Sequence, residues 1–264
     1  MEIDVDRYLD RIGLSHAPSV DRDGLERLMR AHLASVPFDN LDVYAGRAVS
    51  VDPFESIAKI VERRRGGWCF ELNGAFAELL GALGFPVMRL GAAVLLGGPT
   101  KLVDHLCLEV MLDQPYLVDV GFGDSYCRPL ELNTGGPQDG GTAPFEFIAS
   151  AEGTTLTRHD EEGVPVAQYR FRRVALTMDD FASASDRLAG DLDNHWHQRP
   201  FATRYLDGGP GRVTLIANEL KVDRPGDRSI TPVSDVEWNA VFAEWFAPSV
   251  PAEPVAPGQV VPDD

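Results

Sequence analysis

Along the first eighty or so residues the apolar positions recur at three- and four-residue spacing. Residues 5–12 and 21–35 follow this period, the second with Leu25, Leu28, Met29, His32 and Leu33 on one face, and residues 53–64 give a third helix. A fourth is predicted where Leu72, Phe76, Leu79, Leu80 and Leu83 line up before the stop signal Gly84-Phe85-Pro86. Asp21 and Asp52 stand as N-caps, Asp52 directly before a proline suited to the first helical position. Residues 37–51 read as an extended link.

From Phe85 onward the period shortens and strands take over. Residues 87–96 open the series. In Asp104-His105-Leu106-Cys107-Leu108-Glu109-Val110 the positions of Leu106, Leu108 and Val110 form one face and His105 lies on the other. Residues 111–115 read as a turn into Tyr116-Leu117-Val118-Asp119-Val120-Gly121-Phe122-Gly123. Residues 145–148, 154–158 and 168–172 continue the strands, and residues 133–142 are a glycine-rich loop. Beyond Asp179 a polar, helix-compatible stretch precedes a strand at 212–220, one arm of a hairpin. A helix follows at 234–246, with Trp238, Val241, Phe242 and Trp245 on one face. The proline-rich tail from residue 247, acidic at its end, is expected to be disordered.

The formal charge of -17 over 264 residues argues against nucleic acid or an anionic membrane as partner. Any phosphate-bearing ligand then needs a local basic patch, for which Arg63-Arg64-Arg65, Arg170 with Arg172-Arg173, and Arg199 with Arg204 are the candidates. Three cysteines without a CxxC pair fit neither a disulfide framework nor a zinc site, so no metal is expected. No apolar run reaches membrane-spanning length and the acidic start is unlike a signal peptide, so a cytoplasmic setting is expected.

Candidate chemistry centres on Arg65-Gly66-Gly67-Trp68-Cys69-Phe70-Glu71-Leu72-Asn73. Cys69 sits where a helix begins, and the free N–H groups there put positive potential beside its sulfur. The two glycines permit a sharp, close backbone approach. A thiolate so placed is a nucleophile, and it needs a base and an orienting group from elsewhere in the chain. His105 and Asp119, on neighbouring strands, are suited to those roles, since an Asp in an apolar run is costly to bury unless a partner answers it. Taken singly, Cys69 also reads as a small core residue, His105 as a satisfied strand histidine and Asp119 as a strand-end cap.

These segments, in this order, closely resemble the arylamine N-acetyltransferase family. Pro37-Phe38-Asp39-Asn40-Leu41 is similar to that family's Pro-Phe-Glu-Asn-Leu, and the resemblance covers residues 14–130 well before it thins. It implies an α+β fold with an N-terminal helical bundle (1–84), a central β-barrel (85–180) and a C-terminal α/β lid (181–246), ahead of a disordered tail (247–264). It implies Cys69, His105 and Asp119 as a catalytic triad around a cysteine-protease-like core. Transfer would run through an acyl-cysteine from a thioester donor to a small aromatic amine, with no bound cofactor. Trp68, Phe70 and Phe122, which flank the triad, and Phe38 and Gly123 from the matching segments are the expected substrate contacts, with core packing as the alternative for the aromatics.

The lid departs from the family pattern: Asn194-His195-Trp196 is followed by His197-Gln198-Arg199-Pro200-Phe201 where the family carries Ser-Thr-x-Pro-x-Ser-x-Phe. The departure fits the family's amide synthase branch. Those enzymes close ansamycin-type antibiotic macrolactams from a polyketide chain on a carrier-protein pantetheine. Acetyl-coenzyme A and an acyl carrier protein therefore both stand as donors at this stage. An inactive binding module is disfavoured because all three triad positions are filled.

Overall fold

The first two helices form where the periodicity puts them, each opened by an aspartate N-cap. In the computed structural model, which describes residues 3–206 and 210–246, α1 spans Val5–Arg11 and α2 spans Arg22–Ser35. Asp21 caps α2 by accepting the Gly24 N–H at 2.8 Å. The link at 37–51 is more structured than expected. It holds a two-residue strand β1 (Phe38–Asp39) and a helical turn α3 (Leu41–Tyr44), because Phe38, Leu41 and Val43 have apolar surroundings to enter.

The helix expected at 53–64 runs regularly only as α4 (Pro53–Ile57). It then widens into a π-turn over Ala58–Glu62, where the Arg63 N–H reaches back to the Ala58 carbonyl. The widened turn carries Lys59 to the interior. Next comes α5 (Cys69–Ala82), buried on almost every side, with Cys69 as its first residue.

Eight antiparallel strands follow: β2 (Val87–Val94), β3 (His105–Met111), β4 (Pro115–Val118), β5 (Leu130–Glu131), β6 (Gln138–Asp139), β7 (Pro144–Ser150), β8 (Gly153–His159) and β9 (Pro165–Phe171). Their order, β5-β4-β3-β2-β9-β8-β7-β6, leaves β5 and β6 at the edges. The Gln138 side chain spans that seam, donating to the Glu131 carbonyl at 2.9 Å and accepting its N–H at 2.7 Å, so the sheet is a nearly closed barrel. β6 lies within the stretch expected to be loop. β3 is buried on both faces rather than alternating, because α5 packs against it while the barrel interior fills its other side.

After a 3-10 turn at Met178–Phe181 come α6 (Ala182–Gly190), α7 (His195–Gln198), β10 (Phe201–Tyr205), β11 (Arg212–Ile216), β12 (Glu219–Arg224), β13 (Asp227–Pro232) and α8 (Trp238–Phe246). The single strand expected at 212–220 breaks at Ala217, whose left-handed φ of 46° makes the tight turn between β11 and β12. The last helix starts at Trp238, later than residue 234. The tail from 247 lies outside the described residues. The second sheet has order β1-β10-β11-β12-β13, so a strand from the helical region sits at its edge. β1 also bridges to Gly67, with the Asp39 N–H on the Gly67 carbonyl at 2.9 Å, which ties this sheet to the approach to Cys69.

Candidate active site

Cys69 opens α5 under a strong local constraint. Glu71, one turn in, accepts the Trp68 N–H at 3.2 Å and so caps the helix start. Its other oxygen takes Lys59 Nζ at 2.7 Å, and Lys59 also meets Asp42 at 2.7 Å. Asp42 is further paired with Arg65. Burial raises Asp39 to about 6 against the pull of Lys59 and Arg65. Burial also opposes the charge on Asp42, but the same two cations hold it at about 2. The cap of the cysteine helix thus rests on a buried charge network.

The barrel brings His105 and Asp119 to this helix end. His105, first residue of β3, pairs in register with Ala92, and Asp119 directly follows β4. His105 Nε2 lies 2.6 Å from Asp119 Oδ2, with both side chains almost fully buried. Burial works against a charged imidazole here. The Asp119 carboxylate, by charge and hydrogen bond, and then the Cys69 sulfur outweigh it and lift His105 to about 10. With Nε2 engaged, Nδ1 is the ring nitrogen left for the thiol. The Cys69 sulfur is 4.0 Å from the Asp104 carbonyl. Phe122 and Tyr169 pack on the imidazole at ring distances of 5.1 and 5.2 Å and shield it from water.

Asn73, four residues after Cys69 on the same helix face, organises the rest. Its Nδ2 donates to Asp119 Oδ1 at 2.8 Å and to the Leu106 carbonyl at 2.7 Å, and its Oδ1 accepts the Val120 N–H at 2.9 Å. The Gly121 N–H adds a second donor to Asp119 Oδ1 at 2.9 Å. Nothing in the sequence pattern assigns Asn73 a role. Its signal was a lone amide one helical turn from the candidate nucleophile in an otherwise apolar run. Gly121 passes so close that a Cβ there would stand 2.8 Å from both Cys69 Cα and Asn73 Nδ2.

A cavity of about 500 Å³ opens over the sulfur. Phe38, Trp68, Phe122 and Trp196 supply aromatic walls, and Asp104, His105 and His195 supply polar groups. Of the other expected substrate contacts, Phe70 is fully buried against Trp68 and Phe181 and does not line the cavity. Gly123 sits behind Phe122 beside Phe38 and Thr203, in a left-handed conformation at φ 88°. The arginines offered for phosphate are largely engaged: Arg65 with Asp42, Arg170 with Glu152 at 2.6 Å, and Arg173 with Glu109 at 2.6 Å. Cys107 and Cys127 are free but buried, and burial raises both thiols. Among the described residues no group of three His, Cys, Asp or Glu side chains could hold a metal ion, and no helix is long and apolar enough to cross a membrane.

The N-acetyltransferase family model matches residues 21–254. An arylamine N-acetyltransferase of Mycolicibacterium smegmatis is 37% identical over 179 residues, which cover 64% of this chain but only 62% of that protein. The solved arylamine N-acetyltransferase of M. smegmatis superposes with a TM-score of 0.86 at 29% identity, covering 93% of this chain and 92% of that one. The Mycobacterium marinum arylamine N-acetyltransferase in complex with CoA gives a TM-score of 0.82 at 29% identity over 91% and 90% of the two chains. The family match runs through both sheets and includes Cys69, His105 and Asp119, and the chain therefore belongs to the N-acetyltransferase family, that of the arylamine N-acetyltransferases its sequence resembles.

Proposed function

We propose that the protein is an arylamine N-acyltransferase that works through an acyl-Cys69 intermediate. The observation that carries this reading is the buried His105–Asp119 pair beside Cys69 at the floor of an aromatic-walled cavity. His105 Nδ1 takes the thiol proton, while Asp119 fixes the ring and balances the imidazolium. The thiolate attacks the acyl carbonyl of a thioester donor, and the Cys69 N–H, at the helix start, faces the developing oxyanion. The donor thiolate leaves and recovers the proton from His105. An arylamine, largely neutral at pH 7, then attacks acyl-Cys69, gives its proton to His105 and departs as the amide. Aromatic walls suit a flat acceptor and keep water from the thioester. The M. marinum relative was solved with CoA, which supports an acyl-CoA as the donor.

A second reading keeps the site and changes the donor to an acyl chain on carrier-protein pantetheine, as in the amide synthase branch. It is favoured by the engaged arginines, by the missing lid hydroxyls at residues 197–201, and by the exposed apolar side chains Leu96, Leu102 and Leu192. A pantetheine arm carries one phosphate, and a long chain gains about 0.8 kcal/mol per buried methylene.

Intact-protein mass spectrometry after brief exposure to acetyl-CoA or to long acyl thioesters of short pantetheine-like thiols tests both readings. Acylation at Cys69, discharged by an arylamine and absent in Cys69→Ser, is expected. Faster acylation by the long thioesters selects the second donor, and fast saturable acetylation at micromolar acetyl-CoA excludes it. No adduct at Cys69 from any thioester would end the acyl-cysteine proposal.

A further inference from the structure

The segment from Val120 to Ser125 carries a cavity wall, Phe122, yet belongs to no strand. Its backbone groups must be answered from outside the ladder. Asn73 and Asp119 answer the N–H groups of Val120 and Gly121 on the catalytic side. The far side is held from the second sheet. Arg212, first residue of β11, is buried, and its Nη1 donates to the Gly123 carbonyl. Its Nη2 makes an ion pair with Asp124 Oδ1 at 2.9 Å, and the guanidinium carbon lies 4.3 Å from the centroid of the Tyr205 ring. Tyr205 in turn donates its hydroxyl to the Ser125 carbonyl. Three consecutive residues, Gly123 to Ser125, are thus gripped by two side chains of one sheet.

We propose that Arg212 is a positioning residue for the aromatic subsite: it pins the Gly123-Asp124 backbone from the second sheet and thereby holds Phe122 between the cavity and the His105 ring. The inference rests on the proposed transferase reading only for what the cavity accepts. Phe122 meets His105 edge-on at 5.1 Å, at an interplanar angle of 75°, and also touches Tyr169 at 5.1 Å. Displacement of residue 122 therefore alters the wall an aromatic ligand meets before it alters the His105–Asp119 bond, which Asn73 secures independently. A planar fork that places one nitrogen on a carbonyl and the other on a carboxylate, while stacking on a phenol ring, is a task for arginine that lysine cannot perform. Arg158 also reaches Asp124, at 3.1 Å, but the Gly123 carbonyl contact is made by Arg212.

The test compares the parent with Arg212→Lys and Arg212→Ala. Cys69 is alkylated with iodoacetamide, which needs only the sulfur, and with chloroacetanilide, which must also seat an aromatic ring. The chloroacetanilide rate relative to the iodoacetamide rate is expected to fall about tenfold in both variants. Millimolar methylguanidinium is expected to restore it in Arg212→Ala. Arylamine KM should rise by a similar factor, with kcat falling less than threefold. A ratio unchanged in Arg212→Lys at a folded fraction equal to the parent's would overturn the proposal. So would kcat falling with KM fixed, or no rescue of an Arg212→Ala variant shown to be folded by circular dichroism. If the parent acylates no arylamine, the transferase reading fails, while the alkylation ratio still decides the role of Arg212.

Discussion

Replacing Asp119 by Asn probes the site most sharply, because the structure dictates which way the new amide turns. Two donors, Asn73 Nδ2 at 2.8 Å and the Gly121 N–H at 2.9 Å, converge on Asp119 Oδ1. The single carbonyl oxygen of Asn must occupy that position, so its NH2 faces His105 Nε2. The imidazole then accepts at Nε2 and carries its proton on Nδ1, toward Cys69, where it cannot take the thiol's proton. The charge balance is lost as well. The rise of His105 from 6.5 to about 10 is achieved against burial, first by Asp119 and then by Cys69, so removing the carboxylate takes away the main support of the imidazolium. Wrong tautomer and lost balance together should lower kcat/KM for arylamine acylation by on the order of 10³ to 10⁴. Arylamide formation and the pH dependence of Cys69 alkylation by iodoacetamide measure this in the folded variant. Turnover within tenfold of the parent, with an unchanged alkylation profile, would refute the argument.

The raised His105 also predicts a stability profile. The folded pKa lies above the unfolded value of 6.5, so the contribution of the pair is complete below about 6.5 and is lost as pH rises through about 10. Urea midpoints of the parent relative to His105→Gln should converge across that window. Lys59→Met should lower stability by about 3–5 kcal/mol, because it leaves Asp42 and Glu71 buried without their shared cation, as urea unfolding would read. Gly121→Ala forces a Cβ to within 2.8 Å of Cys69 Cα, and should cost about 1–3 kcal/mol together with a slower alkylation of Cys69. Iodoacetamide followed by peptide mapping should label Cys69 ahead of Cys107 and Cys127, whose thiols burial raises.

Local signals in the chain were enough for the elements that carry the candidate chemistry. The helical period after Leu72, the glycines before Cys69 and the alternation around His105 depend on neighbours a few residues apart, and so they are legible without a fold. They placed Cys69 at a helix start and His105 on a strand, as α5 and β3 then showed, whereas the strand expected to carry Asp119 ends one residue before it, at Val118 of β4. The pairing of distant segments was not legible. Asn73 meets Asp119 across 46 positions of sequence, and Arg212 meets Gly123 across 89. Neither partner has a period that points to the other.

Lys59 illustrates the limit. In sequence it is one position of the helix expected at 53–64, with nothing to mark a partner, and the widened turn at Ala58–Glu62 carries it in to bridge Asp42 and Glu71. Phe70 is the converse: adjacent to the nucleophile in the chain, it is turned by the 100° step of the helix into the core, away from the cavity that Trp68 lines. Proximity along the chain decided where the helix begins. Which side chains surround the sulfur was decided by tertiary packing, because burial and long-range hydrogen bonds, rather than local propensity, set the direction in which each one points.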